Sequence, residues 1–92
     1  MKESALVRRI LTALNVMKGC AVVKAHGSIY STRGEPDLHG CYQGHAFFIE
    51  VKRPGGRATP LQMFRLDVWA KAGARVGIAT SVEEALEIVR GE

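Results

Sequence analysis

Ninety-two residues suffice for one domain with one core, and 47% hydrophobic against 24% charged residues excludes a disordered chain. Thirteen Lys and Arg against nine Asp and Glu leave a net charge of +4, which suits a polyanionic partner without proving one. One Trp, two Tyr and three Phe argue against a module that grips single strands on a track of stacked bases.

The chain opens with a polar, helix-like run, and no segment approaches the ~20 apolar residues of a membrane span. Leu6, Val7, Ile10, Leu11, Leu14 and Met17 recur at helical spacing, which predicts a helix over about 4–17 that Gly19 ends. Glu3 lies in line with that stripe. The helix dipole favours an acid there, and a site beside the core would select the same residue. Cys20 to Ala25 is short and valine-rich, as a buried strand is. Cys20 and Cys41 form no CxxC pair and read as reduced, partly buried thiols of a cytosolic protein.

Residues 26–34 read as a loop or irregular edge strand. Gly34-Glu35-Pro36-Asp37 is a turn, with Pro36 fixing φ. Segments 37–42 and 45–52 flank Gln43-Gly44 as a β-hairpin. Alternation sets Phe47, Ile49 and Val51 on one face and Phe48, Glu50 and Lys52 on the other. The two charges therefore point the same way, about 7 Å apart along the strand. Segment 53–58 is a basic loop with two glycines. Thr59 and Pro60 open a second helix as N-cap and first helical residue. Leu61, Phe64, Val68, Trp69 and Ala72 are its apolar stripe, and Gly73 closes it. Arg75 to Ala79 is a further strand. Ser81-Val82-Glu83-Glu84 is a capping box opening a closing helix. The order is helix, three strands, helix, strand, helix, with no repeat or linker over residues 1–92.

Charges on a strand as apolar as Phe47–Val51 must be paired, solvated in a cleft or bound to an ion. Phosphodiester hydrolysis needs such a cleft: a nucleophilic water, charge neutralisation on the phosphate and help for the leaving group. A divalent cation on one or two carboxylates serves these needs, and Mg²⁺ keeps the rest of its shell for water and phosphate. Asp37 and Glu50 can supply the carboxylates. Lys52, on Glu50's face, can donate to the attacking water or the scissile phosphate. Taken singly, Asp37 is an ordinary turn residue and Glu50-x-Lys52 an ordinary solvated face; the combination carries the site. Thr59-Pro60-Leu61-Gln62 fits a capping box, so Gln62 has a structural role available beside any role in the site.

Gly34-x-Pro36-Asp37, Ile49-Glu50-Val51-Lys52 and Gln62 together resemble the PD-(D/E)xK nucleases, and within them the virus-type replication-repair nuclease (VRR-NUC) domain. The resemblance covers nearly the whole chain. It implies an α/β restriction-endonuclease-like core, αβββαβα, with a mixed central sheet flanked by helices. It implies Asp37 and Glu50 as metal ligands, the Val51 backbone carbonyl as a third, and Lys52 as the catalytic lysine. Glu3 matches the acid that many of these enzymes carry on the first helix, and Gln62 a glutamine following the catalytic strand. Some related exonucleases have a tyrosine four residues after that glutamine; here the position is Leu66.

The function expected is a Mg²⁺- or Mn²⁺-dependent DNA endonuclease of replication or repair, selective for branched structures such as Holliday junctions or flaps. A non-catalytic nucleic-acid-binding or interaction module of a repair complex is the alternative. Arg33, Arg53 and Arg57 bracket the site as candidate phosphate contacts, which position DNA without reading sequence. The resemblance also implies a homodimer; the faces of Val68, Trp69, Leu86 or Val89 serve equally as interface or core. The minimal size suits a phage- or prophage-encoded enzyme in a bacterial cytoplasm.

Other chemistries fit worse. His39, Cys41, His45 and distant Cys20 lack the spacing of zinc ribbons or knuckles. The single Asn15 leaves the histidines without an HNH motif, and neither a nucleophile elbow nor a P-loop is present. His39, two residues after Asp37, is a neighbour of the site.

Overall fold

The computed structural model describes residues 1–26 and 32–92. The first helix, α1 (Glu3–Asn15), buries Leu6, Val7, Ile10 and Leu14 along one stripe. It stops earlier than its pattern predicts. Val16 is the C-cap, and Gly19, at φ +79°, shapes the following turn rather than the helix end. Strand β1 (Cys20–Lys24) pairs antiparallel with β2 (Leu38–Tyr42). Strand β2 pairs antiparallel with β3 (His45–Val51) across Gln43-Gly44, both of which have positive φ as a tight hairpin requires. Of the loop expected over 26–34, residues 27–31 lie outside the described residues.

Helix α2 (Pro60–Lys71) carries the chain from β3 to β4 (Arg75–Ala79), which lies parallel to β3. Helix α3 (Val82–Arg90) ends the fold. The four strands form one mixed sheet in the order β1-β2-β3-β4, and the element order is αβββαβα as the pattern predicts.

Alternation sorts the sheet into two faces. Leu38, Phe47, Ile49 and Val51 are fully buried on one face, beneath α1 and α3. Gly77 lies opposite Ile49, and a Cβ there would fall 2.6 Å from Ile88, so α3 sits close on the sheet. Phe48 and Glu50 point to the other face, where α2 packs over β3 and β4.

Two local expectations fail here. On α2 only Leu66 is fully buried, whereas Leu61, Phe64 and Val68 of the anticipated stripe are exposed, as are Met63 and Ala72. The helix is rotated so that Gln62, Arg65, Leu66 and Trp69 are its less exposed face, because Arg65 and Trp69 bind Glu35. At α3, Ser81 Oγ accepts from the Glu84 N–H at 3.1 Å, but the Glu84 carboxylate takes the N–H and hydroxyl of Thr80, at 2.6 and 2.5 Å. Half of the capping box forms, and the other half shifts by one residue. Both cysteines are free, with Cys41 exposed rather than partly buried.

Candidate active site

Four elements converge on the α2 side of the sheet. The turn 34–37 is pinned from α2 at two points. Gly34, at φ +80°, lies so close to Leu61 that a Cβ would fall 2.6 Å from its side chain. Glu35 accepts from the Arg65 guanidinium on one oxygen and from Trp69 Nε1–H, at 2.9 Å, on the other. Pro36 is buried. Asp37 is thereby delivered to the start of β2, where its Oδ2 accepts the Val51 N–H at 2.8 Å. Leu38 pairs with Ile49, so the register places Asp37 beside Glu50.

Glu50 is only 2% exposed and is the one buried charged residue among those described. Lys52 Nζ lies 3.3 Å from its Oε2, while its Oε1 has no hydrogen-bond partner. Burial, followed by the charge of Asp37, pushes the Glu50 carboxyl up to about 7 against the opposing pull of Lys52. Burial also raises Asp37, opposed by the Val51 N–H, with Glu3 adding to the rise. The charge of Glu3 adds to the rise of both acids.

Asp37, Glu50 and Lys52 are thus brought into one neighbourhood. Among the described residues no group of three or more His, Cys, Asp or Glu side chains is arranged to hold a metal ion. The donor set is two carboxylates. That set still fits a hard cation: one buried oxygen lacks a partner, both acids resist ionisation, and Mg²⁺ takes few protein ligands.

Gln62 completes the capping box at the start of α2. Its Oε1 accepts the Thr59 N–H at 2.9 Å, and its own N–H donates to Thr59 Oγ1 at 3.1 Å. Its structural role is therefore realised. Gln62→Ala is expected to cost about 1 kcal/mol, or roughly 5 °C in Tm. Lost cleavage at an unchanged Tm would instead give Gln62 a role in the site.

Arg33, Arg53 and Arg57 are all exposed. Arg33 borders the cavity that Asp37 also lines, and the loop carrying Arg53 and Arg57 follows Lys52 directly. Sequence reasoning gave Glu35, Arg65, Trp69 and Phe48 no role in the site. For Arg65 and Trp69 the advance signal is the spacing 62, 65, 66 and 69 along one side of α2.

A four-stranded mixed sheet with three helices, in the order αβββαβα, is consistent with a restriction-endonuclease-like fold. No family model and no curated protein sequence matches the chain. Solved structures do. A "VRR_NUC domain" superposes with a TM-score of 0.77 at 23% identity, over 96% of this chain and 94% of its own. A "VRR_NUC domain protein" superposes with a TM-score of 0.80 at 17% identity, over 98% of this chain and 86% of its own. The fold is that of VRR_NUC domains.

Proposed function

We propose that the protein is a nuclease of the VRR-NUC type, hydrolysing DNA phosphodiester bonds with Mg²⁺ or Mn²⁺. The observation that carries this reading is Glu50: a buried carboxylate with an unpartnered oxygen, set between a second carboxylate and a lysine. Such a group is costly to ionise alone, and a bound cation removes that cost. Asp37 and Glu50 would hold the cation, with the Val51 carbonyl between them as a further donor and Glu3 adding negative charge nearby. When bound, the cation supplies activation of water and neutralisation at the phosphate oxygens. Lys52 orients the attacking water or donates to the phosphate, and its ammonium offsets repulsion between the acids and the substrate. Asp37 is held in place by the Val51 N–H, and its turn by the Glu35 anchor on α2.

Cleavage selective for branched DNA accords with a compact domain whose exposed arginines suit phosphates rather than base edges. The test is incubation with linear, flapped and four-way DNA in Mg²⁺, Mn²⁺ or EDTA. Metal-dependent cleavage, fastest on a branched substrate, is expected. Binding without cleavage under every metal would leave a non-catalytic module.

Arg53→Ala combined with Arg57→Ala is expected to weaken binding to all DNAs alike. It should also flatten the dependence of log K on log salt by about one per lost contact. An unchanged slope would remove the loop from the interface.

The reading includes a homodimer. Val89 is buried, Leu86 packs on the core and Trp69 stacks on Phe48, so of the four residues considered from sequence Val68 is the exposed one. With Leu61 and Phe64 it forms an outward apolar stripe on α2. Light scattering should give a dimeric mass at micromolar concentration and a monomeric one for Phe64→Glu; a wild-type monomer would defeat the dimer.

A further inference from the structure

Asp37 also lines a cavity of about 760 Å³, within the range that encloses nucleotide-sized ligands. Its wall includes three rings from three different elements: His39 of β2, Phe48 of β3 and Trp69 of α2. His39 and Phe48 stack with centroids 5.7 Å apart, and Phe48 and Trp69 at 3.9 Å and 15°. All three are half-buried rather than sealed into the core. The chain has few aromatic residues, yet the fold gathers its only tryptophan and one of its three phenylalanines here.

The indole N–H in this wall is already satisfied. Glu35 takes the indole N–H and is itself held by Arg65, so Trp69 is fixed in orientation and neither group is spare for reading a base edge. What the wall offers is π surface, with Arg33 at its border to meet a phosphate. Such a surface accepts any base that is free of its partner, because every base has a π face. A paired base inside a duplex cannot enter it.

We propose that this cavity receives one unpaired nucleobase next to the scissile phosphate, stacked on an outer ring face of the His39–Phe48–Trp69 cluster. The inference rests on the nuclease reading and sharpens it. Selectivity for branched DNA then arises from the unpaired nucleotides at branch points and flaps, not from grip on a duplex. It also bears on the low aromatic count, which argues against a track of stacked bases but leaves room for one subsite.

The single tryptophan provides the readout. In EDTA, where metal-dependent cleavage is absent, a deoxythymidine oligomer is titrated against an abasic oligomer of equal length. Affinity is followed by anisotropy and stacking by Trp69 fluorescence. The base-bearing strand should quench Trp69 and bind about fivefold or more tighter than the abasic one. A matched duplex should not quench. A uridine oligomer in parallel shows whether a ribose strand supplies the base equally well.

Trp69→Phe should keep the preference for bases and Trp69→Leu should lose it. If the leucine variant fails to fold, His39→Ala should reduce the same ratio. Equal affinities without quenching, or no binding of either oligomer, would overturn the proposal. Cleavage in Mg²⁺ is scored separately. Cleavage without base preference sinks the subsite alone, and quenching without cleavage sinks the nuclease reading alone.

Discussion

Glu50→Gln is expected to abolish cleavage while making the metal-free protein more stable above pH 7. The two effects have opposite signs because one group causes both. The folded protein holds the Glu50 carboxyl at about 7, above its ordinary 4.5. Below pH 4.5 the group is protonated in both folded and unfolded chains and carries no penalty. Between 4.5 and 7 the unfolded chain ionises it first, so stability falls as pH rises; above 7 the loss is complete. The difference corresponds to about 3 kcal/mol, and the raised Asp37 works in the same direction.

A glutamine has no charge to desolvate and can still accept from Lys52, so about 2 kcal/mol should return at pH 8. Urea denaturation in EDTA at pH 5 and pH 8 measures both terms. Mg²⁺ should stabilise the wild type at pH 8 and leave Glu50→Gln nearly unaffected. A variant less stable than wild type at pH 8, with wild-type stability flat across the range, would contradict the assignment of Glu50 as a buried ligand awaiting a cation.

The second large effect lies in the sheet that carries the site. A Cβ on Gly40 would fall 1.9 Å from the Ala21 carbonyl oxygen and 2.9 Å from the Phe47 ring. One of these neighbours is backbone, and Phe47 is fully buried, so neither side can yield cheaply. Gly40→Ala should cost about 3 kcal/mol and lower Tm by roughly 15 °C. The damage begins in the β1–β2 pairing and reaches the site through Asp37, which leads into β2. A Tm within about 3 °C of wild type would show that β1 can shift aside.

What the sequence disclosed and what it concealed divide by distance along the chain. Alternation over Phe47–Lys52 placed the core face and the charged face correctly because a strand's period is a local property. Thr59, Pro60 and Gln62 revealed a helix start for the same reason, and the capping box is formed in full. The orientation of α2 was not legible. Its hydrophobic pattern points Leu61, Phe64 and Val68 inward, but Glu35, some 30 residues earlier, draws Arg65 and Trp69 to the sheet instead. No local pattern announces that contact.

Glu84 departs from its expected partner by one residue, accepting both the N–H and the hydroxyl of Thr80. Within the site, Asp37, Glu50 and Lys52 could be named from spacing. The anchor that holds Asp37 and the aromatic wall beside it depend on tertiary contacts alone. Glu3 stood between a dipole role and a site role in the sequence. Its charge adds to the rise of both acids.

Lys52→Ala tests the central claim most directly. Lys52 is mostly buried beside Glu50, its Nζ 3.3 Å from Oε2. Single-turnover cleavage of a branched DNA in Mg²⁺ should slow by about 10²-fold or more, as expected for loss of a charged donor at a phosphoryl centre. The thermal transition checks that the variant is folded. Cleavage by Lys52→Ala at the wild-type rate would contradict the account.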